Sequence, residues 1–330
     1  MSVFFANFIC MIWLIFLALI ALLLLLDLGV FHKKDQVINV KESLTWTLVW
    51  IVVSILFGGC IYYVYDTNLF AVNEDGISAK DALILYYTGY VIEKSLSLDN
   101  IFVIAMIFAY FKIEAKYQHN ILMYGILGAI IFRGVLILAG TSFIETFHWS
   151  TYIFGAVLIY SAISMITARH DQIDYYKNPA LRLLSKIYVI RWDVQNGRFF
   201  SQENGKKFAT ISMAALIVIE FTDVVFAVDS IPAIFAITTD SFIVYTSNIF
   251  AILGLRNLYF FLANILDKFR YMKYSLVFIL IFVGCKIALS NHFEIPAYVS
   301  LTFILGSLSI GVLTSMLHGE DDTSKLEKPL

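Results

Sequence analysis

The chain has 330 residues, of which 60% are hydrophobic, 16% are aromatic and only 15% are charged. This composition is too apolar for an ordinary soluble domain, and it predicts a membrane protein with several spans. The net charge of −2 provides no basic field, which argues against nucleic-acid binding. Cys10, Cys60 and Cys285 lie in apolar runs without CxxC spacing, so neither a disulfide framework nor a thiolate metal site is expected.

The apolar runs predict an all-α polytopic membrane fold, because about 20 apolar residues cross the hydrocarbon core of a bilayer. The nine predicted spans cover residues 3–26, 44–65, 80–111, 118–141, 147–167, 208–237, 242–266, 273–290 and 297–317. The first run is too long for a signal peptide and no Lys or Arg precedes it, so we expect it to remain as a span.

The positive charges predict the orientation of these spans. Counted over alternate loops, nearly all Lys and Arg residues lie on one side, and eight of them fall within residues 168–207. The other side holds only Lys80. Because loops rich in Lys and Arg stay in the cytoplasm, the N-terminus is predicted outside and the C-terminus inside.

Residues 168–207 form the only sizeable hydrophilic segment, which we call the basic loop. Its basic residues alternate with Tyr, Leu, Ile and Trp, and this pattern predicts an amphipathic helix on the inner membrane face. Two interpretations remain open at this point. The basic loop is either a connector that follows the positive-inside rule or a surface with a regulatory or docking role.

Two acidic stretches share one pattern, in which an acid is followed by five residues, an Asp, then Asn or Ser, and then Ile. The first stretch places Glu93 before Asp99, and the second places Asp223 before Asp229. Each stretch lies in the middle of a long apolar run. The match indicates an internal repeat.

The repeat extends to the following span of each half, which contains Arg133 in the first half and Arg256 in the second. Each unit has three spans, an odd number, so the second unit must enter the membrane from the opposite side, as in many secondary transporters. The substrate site is then expected at the midplane. The predicted segments are an N-terminal two-span segment (1–79), a first repeat (80–167), the basic loop (168–207), a second repeat (208–290), a final span (291–317) and a cytoplasmic tail (318–330).

Five carboxylates lie inside predicted spans: Glu93, Asp99, Glu220, Asp223 and Asp229. At roughly 2.5–3.5 kcal/mol for each charged residue at the centre of a span, they cost on the order of 10–15 kcal/mol before compensation. Four intramembrane cations could compensate them: Lys94, Arg133, Arg256 and Lys286. Buried ion pairs seldom repay their desolvation, so a functional role for the acids is the better explanation.

Helix geometry bears on how these acids could converge. Helices over residues 80–111 and 208–237 would be about 48 Å and about 45 Å long, so a break or a strong tilt is predicted in each. Six residues of regular helix turn through about 240°, which would point the two acids of each stretch apart unless the chain loosens. In the second stretch, Pro232 has no N–H for the carbonyl of Val228, which could then become a ligand.

The residue types favour a hard divalent cation. Carboxylates, the Asn100 amide and the Ser230 hydroxyl form an oxygen set that suits Mg²⁺, Ca²⁺ or Mn²⁺. The histidines all fall in loops or at span ends, so an imidazole site inside the membrane is not expected. The acids could alternatively carry protons, and both roles combine if protons replace the metal on the return step. No motif for catalysis or for an organic cofactor is present, so an enzyme is not predicted.

Three runs closely resemble the TerC family of integral membrane proteins, and within it the Alx-like branch. They are Glu93 to Val103, the second stretch through Asp223 and from Asp229 to Ala233, and Asn248 to Tyr259. The resemblance covers about residues 40–317 and implies a LysE-type transporter fold and export of Mn²⁺ across the bacterial cytoplasmic (inner) membrane. Tellurite resistance is the historical family label. By position, the implied metal pathway comprises Glu93, Asp99, Asn100, Glu220, Asp223 and Asp229.

Two hypotheses follow. In the first, a secondary transporter binds Mn²⁺ between two inverted repeats, and Arg133, Arg256 and Lys286 neutralise the acids when no cation is bound. Ser230 takes the place in the second repeat that Asn100 has in the first. In the second hypothesis, a membrane scaffold acts in metal delivery or in tellurite and stress resistance through its basic loop. The expected partners are a divalent cation, protons and the lipid bilayer, with no nucleic acid.

Overall fold

The computed structural model describes residues 2–29, 40–73, 76–147, 149–167, 178–194, 197–203, 205–262, 272–289 and 295–318. The helices are α1 (Ser2–Gly29), α2 (Val40–Asp66), α3 (Ala79–Tyr110), α4 (Ala115–Thr146), α5 (Ser150–Thr167), α6 (Pro179–Ile187), α7 (Ile211–Phe235), α8 (Ser241–Ile252), α9 (Leu255–Leu262), α10 (Met272–Leu289) and α11 (Ala297–His318). Every predicted span overlaps one of them, and span 242–266 overlaps two.

Four of these helices are long and apolar enough to cross a membrane: α2, α4, α7 and α11. Shorter apolar helices lie within α1, α5 and α10. Helix α3 is long enough but carries Glu93, Lys94 and Asp99 in its middle. The polytopic helical fold is therefore confirmed, whereas the number of helices that cross the bilayer stays a prediction.

Of the two alternatives predicted for residues 80–111 and 208–237, the break is not found, and the strong tilt stays a prediction. Helix α3 is continuous over 32 residues, and α7 runs for 25 residues and ends three residues after Pro232. The break lies instead in predicted span 242–266, between α8 and α9, where Gly254 has a φ of +80°. Only glycine adopts this conformation readily, and a Cβ on Gly254 would lie 2.8 Å from the Trp50 ring.

The two serines between Glu93 and Asp99 hydrogen-bond back to α3, which is continuous here. Ser97 Oγ donates to the Glu93 carbonyl at 2.8 Å, and Ser95 Oγ donates to the carbonyl of Val91 at 2.5 Å. Inside a membrane such bonds satisfy the hydroxyl without unwinding the helix.

The helices of the two predicted repeats pack against each other in matched pairs. Helix α3 packs on α8, α4 packs on α7, and α5 packs on α10. The α5–α10 contact is made through glycines, since a Cβ on Gly155 would lie 2.9 Å from the Gly284 carbonyl oxygen. Small residues allow this backbone approach between membrane helices. Helices α2 and α11 pack on the outside of α3.

The buried apolar residues form two clusters, and both α3 and α7 pass from one cluster to the other. Along α3, Leu96 belongs to the first cluster and Ile101 to the second. Along α7, the change falls between Ile219 in the second cluster and Ala227 in the first. Asp99, Glu220 and Asp223 lie in these two intervals, whereas Glu93 and Asp229 lie along the parts of α3 and α7 that carry the first cluster.

The basic loop contains a short helix and a small sheet. The predicted amphipathic helix corresponds to α6, which Asn178 caps and whose Leu181 and Leu184 are buried. The sheet departs from the all-α prediction, with strands β1 (Ile190–Arg191), β2 (Phe200–Glu203) and β3 (Lys206–Thr210). Strand β3 is central, parallel to β1 and antiparallel to β2. Residues 168–177 of this loop lie outside the described residues.

We expect Gly155→Ala to destabilise the protein by roughly 1–3 kcal/mol, because its methyl group would overpack the α5–α10 contact. The added Cβ would lie 2.9 Å from both the Gly284 oxygen and the Ala288 Cβ. The matched control is Gly59→Ala in α2, where nothing lies within 4 Å of the new Cβ. The thermal midpoint of the detergent-purified variants measures the effect. Equal midpoints for the two variants would contradict the close contact.

Candidate functional site

A buried arginine joins the matched acids of the two predicted repeats. Arg133 from α4 donates through Nη1 to Glu93 of α3. Its Nη2 donates to Asp223 Oδ1 at 3.0 Å and its Nε to Asp223 Oδ2 at 3.3 Å. The side chains of Arg133 and Glu93 are 1% and 0% exposed, and that of Asp223 is 15% exposed. The planar guanidinium is suited to this double carboxylate contact.

Two neutral side chains complete this network. Asn248 of α8 accepts from Arg133 Nη1 at 3.1 Å and donates to Glu93 Oε2 at 3.2 Å. Ser230 Oγ of α7 accepts from the same Nη1 at 3.4 Å. The sequence predicted a role for Ser230 but none for Asn248. The signal for Asn248 was an amide within the apolar run that forms α8.

A small cavity lies beside this network, with a volume of about 30 Å³. That space holds about two water molecules. Its polar lining consists of Asn100, Thr222, Asp223 and Arg256, and the rest of its wall is apolar. Asp223 therefore belongs to both the ion-pair network and the cavity.

The remaining predicted metal ligands are placed as follows. The Glu220 carboxylate lies against α4, where it occupies the space that a Cβ on Gly128 would need. The side chains of Asp99 and Asp229 lie outside the described part of the chain. Among the residues that are described, no three His, Cys, Asp or Glu side chains converge to hold a metal ion. The full ligand set therefore stays a prediction.

The predicted counter-charges have different partners. Arg133 contacts the acids, whereas Arg256 Nη2 donates to Asp27 Oδ2 of α1 at 2.7 Å. Lys286 Nζ donates to Ser300 Oγ of α11 at 3.0 Å, and Lys94 Nζ donates to a backbone carbonyl of α8 at 3.0 Å. Sequence reasoning missed Asp27. Its signal was a lone acid near the end of the first apolar run.

Comparison with known proteins supplies the family. The model of the integral membrane protein TerC family matches residues 78–323. An uncharacterized membrane protein of Rickettsia felis is 45% identical over 93% of this chain and 97% of its own length. A second, STKORF319 of Myxococcus xanthus, is 40% identical over 96% of each chain.

The Alx-like resemblance is confirmed as well. A putative membrane-bound redox modulator Alx of Escherichia coli K12 is 40% identical over 90% of this chain and 92% of its own length. No solved structure gave a significant match. The chain thus belongs to the TerC family of integral membrane proteins.

Proposed function

We propose that this protein is a secondary transporter that exports divalent metal cations, with Mn²⁺ as the first candidate substrate. The observation that carries the proposal is the meeting of Glu93 and Asp223 at one buried guanidinium, beside a small cavity that Asp223 also lines. These acids occupy matched positions in the two predicted repeats. Carboxylates inside a membrane are costly and typically mark an ion pathway.

The packing pattern supports the proposed inverted repeat. If a two-fold axis relates the repeats, α3 corresponds to α7, α4 to α8 and α9 together, and α5 to α10. A contact between two helices that do not correspond to each other must then occur twice. The α3–α8 and α4–α7 contacts form such a reciprocal pair, and the α5–α10 contact lies on the axis. Transporters with this symmetry bind their substrate at the interface of the repeats. The Arg133 network lies at this interface.

The cavity and the ion pair suggest how a cation would enter. With the N-terminus outside, Asn100 lies nearer to the cytoplasmic end of α3 than Glu93 does. The cavity then faces the inner half of the membrane, and the Arg133 network closes the path to the outer half. A cation from the cytoplasm would reach Asp223 before Glu93.

A cation and the Arg133 guanidinium would compete for the same oxygen atoms. The cation must displace the guanidinium from Asp223 before it can bind there, so binding and opening of the network are coupled. Oxygen ligands suit a hard divalent ion, and Asp99, Asn100, Asp229 and Ser230 remain the further predicted ligands. Protons that replace the metal on these acids, including Glu220, would allow exchange of the cation for protons.

The described part of the chain favours transport over the alternatives. Leu181 and Leu184 of α6 belong to the same apolar cluster as Ala215 of α7, so this part of the basic loop packs against the helical core. The name of the E. coli relative suggests redox modulation. Cys60 and Cys285 are free thiols exposed on α2 and α10, so the described residues offer no dithiol centre.

Asp223→Asn is expected to abolish divalent cation flux and leave membrane insertion intact, since the amide keeps the shape but removes the charge that binds the cation. Asp99→Asn and Asp229→Asn test the predicted ligands in the same way. The measurement is Mn²⁺ uptake into proteoliposomes with and without a pH gradient, with Ca²⁺ and Mg²⁺ as competitors.

The matched control for these variants is Asp193→Asn in the basic loop, where a hydrogen bond from Arg191 lowers the pKa of an exposed carboxyl. We expect it to transport normally. Wild-type flux in Asp223→Asn would overturn the proposed site. Preference for Ca²⁺ or Mg²⁺ over Mn²⁺ would change only the substrate.

Arg133→Gln is expected to destabilise the protein by roughly 3–5 kcal/mol, because it leaves Glu93 and Asp223 buried without their cation. Mn²⁺ should then raise the thermal midpoint more in this variant than in wild type, since the metal replaces the missing charge. Arg191→Gln, on the exposed sheet, is the control and should respond as wild type does. An equal Mn²⁺ response in Arg133→Gln and wild type would contradict competition between guanidinium and cation.

A further inference from the structure

The N-terminal helix contributes a charged residue that contacts Arg256 in the wall of the cavity. Asp27 of α1 is 6% exposed and accepts from Arg256 at 2.7 Å. Arg256 is 1% exposed and lines the same cavity as Asp223 and Asn100. Helix α1 precedes residues 78–323, which the family model matches. The site is thus completed by a helix outside the matched region.

Arg256 and Asp223 are the two charged residues that line this cavity in the described part of the chain. Arg256 is the repeat counterpart of Arg133, and Arg133 bridges two carboxylates. Both arginines therefore border Asp223, one through a direct ion pair and the other across the cavity. A guanidinium directed at Asp223 from the cavity side would compete with an entering cation in the same way as Arg133 does.

The structure holds Asp27 in a fixed place relative to Arg256. Rings on α1 pack against rings on α8, with Phe16 and Tyr245 at a centroid distance of 5.8 Å. At the break between α8 and α9, Gly254 lies against Trp50 of α2. Helix α1 thus contacts α8, and α2 contacts α9, which carries Arg256. An ion pair between such anchored helices loses little conformational freedom on forming.

We propose that Asp27 is a positioning residue that holds Arg256 against the cavity wall and so keeps the inner path to Asp223 open. This assignment rests on the proposed transport function. When the Asp27–Arg256 pair opens, Arg256 turns to the carboxylates and closes the inner path, as Arg133 closes the outer one. The N-terminal helix pair thereby sets the equilibrium between the state in which the inner path is closed and the state in which the outer path is closed.

The test measures charge in the cavity by the labelling of a cysteine in its wall. Thr222 is partly exposed and lines the cavity, so Thr222→Cys is placed in a chain whose native cysteines are replaced by Ser. The ratio of modification rates by a cationic and an anionic methanethiosulfonate reagent is then compared between wild type and Asp27→Asn. We expect this ratio to fall at least about threefold in Asp27→Asn, because the released guanidinium adds positive charge near the thiol.

Three controls separate this effect from general damage. Asp27→Ser adds no bulk and should give the same fall as Asp27→Asn, so a folding defect in one variant leaves the other as a test. Asp66→Asn removes an exposed acid at the end of α2 and should leave the ratio unchanged. In an Arg256→Gln background, Asp27→Asn should have no further effect on the ratio.

An unchanged ratio in folded Asp27→Asn and Asp27→Ser would overturn the proposal, as would a fall that persists with Arg256→Gln. Labelling needs no transported cation. If the ratio falls as expected but wild-type vesicles show no Mn²⁺ flux, the transport function is contradicted and the placement of Arg256 is still supported. Where flux is present, Asp27→Asn should raise KM for Mn²⁺ at least about threefold, because the guanidinium competes with the cation. An unchanged KM beside an altered ratio would also overturn the proposed role.

Discussion

The buried contact of Arg133 with Glu93 and Asp223 is the interaction on which the centre of this structure depends. Two carboxylates and one guanidinium are removed from water, so each needs the others to offset its desolvation. Asn248 donates a further hydrogen bond to Glu93, and Ser230 accepts one from Arg133. Helices α3, α4, α7 and α8 must therefore keep their relative positions. Any rearrangement that opens this network must supply another positive charge for the acids.

The same electrostatic constraint accounts for the N-terminal helices. Arg256 is as deeply buried as Arg133, but its described carboxylate partner comes from α1. A repeat of six helices related by a two-fold axis would treat both arginines alike. The added helix pair breaks that equivalence by supplying Asp27 to one of them. The helices of the predicted repeats and the N-terminal helix pair are thus linked through charge as well as through aromatic packing.

Apolar packing supports the polar layer on both sides. One cluster extends from Leu96 and Ala227 in one direction, and the other extends from Ile101 and Ile219 in the opposite direction. Helix α6 of the basic loop and strand β3, which begins in that loop, contribute buried residues to the second cluster. Trp192 stacks on Phe111 at the end of α3 with a centroid distance of 6.0 Å. The loop therefore stabilises one end of the bundle.

The sequence by itself determined the membrane environment, the positions of the apolar helices, the family and the acids at the centre, because these depend on composition and local pattern. It misplaced the helix break, since α3 is continuous through Ser95 and Ser97, while the break occurs at Gly254, which has a positive φ and lies against Trp50. Only the tertiary structure decided which charges meet. Arg133 and Arg256 look equivalent in sequence, but their partners come from helices far apart along the chain, and such distances are set by packing.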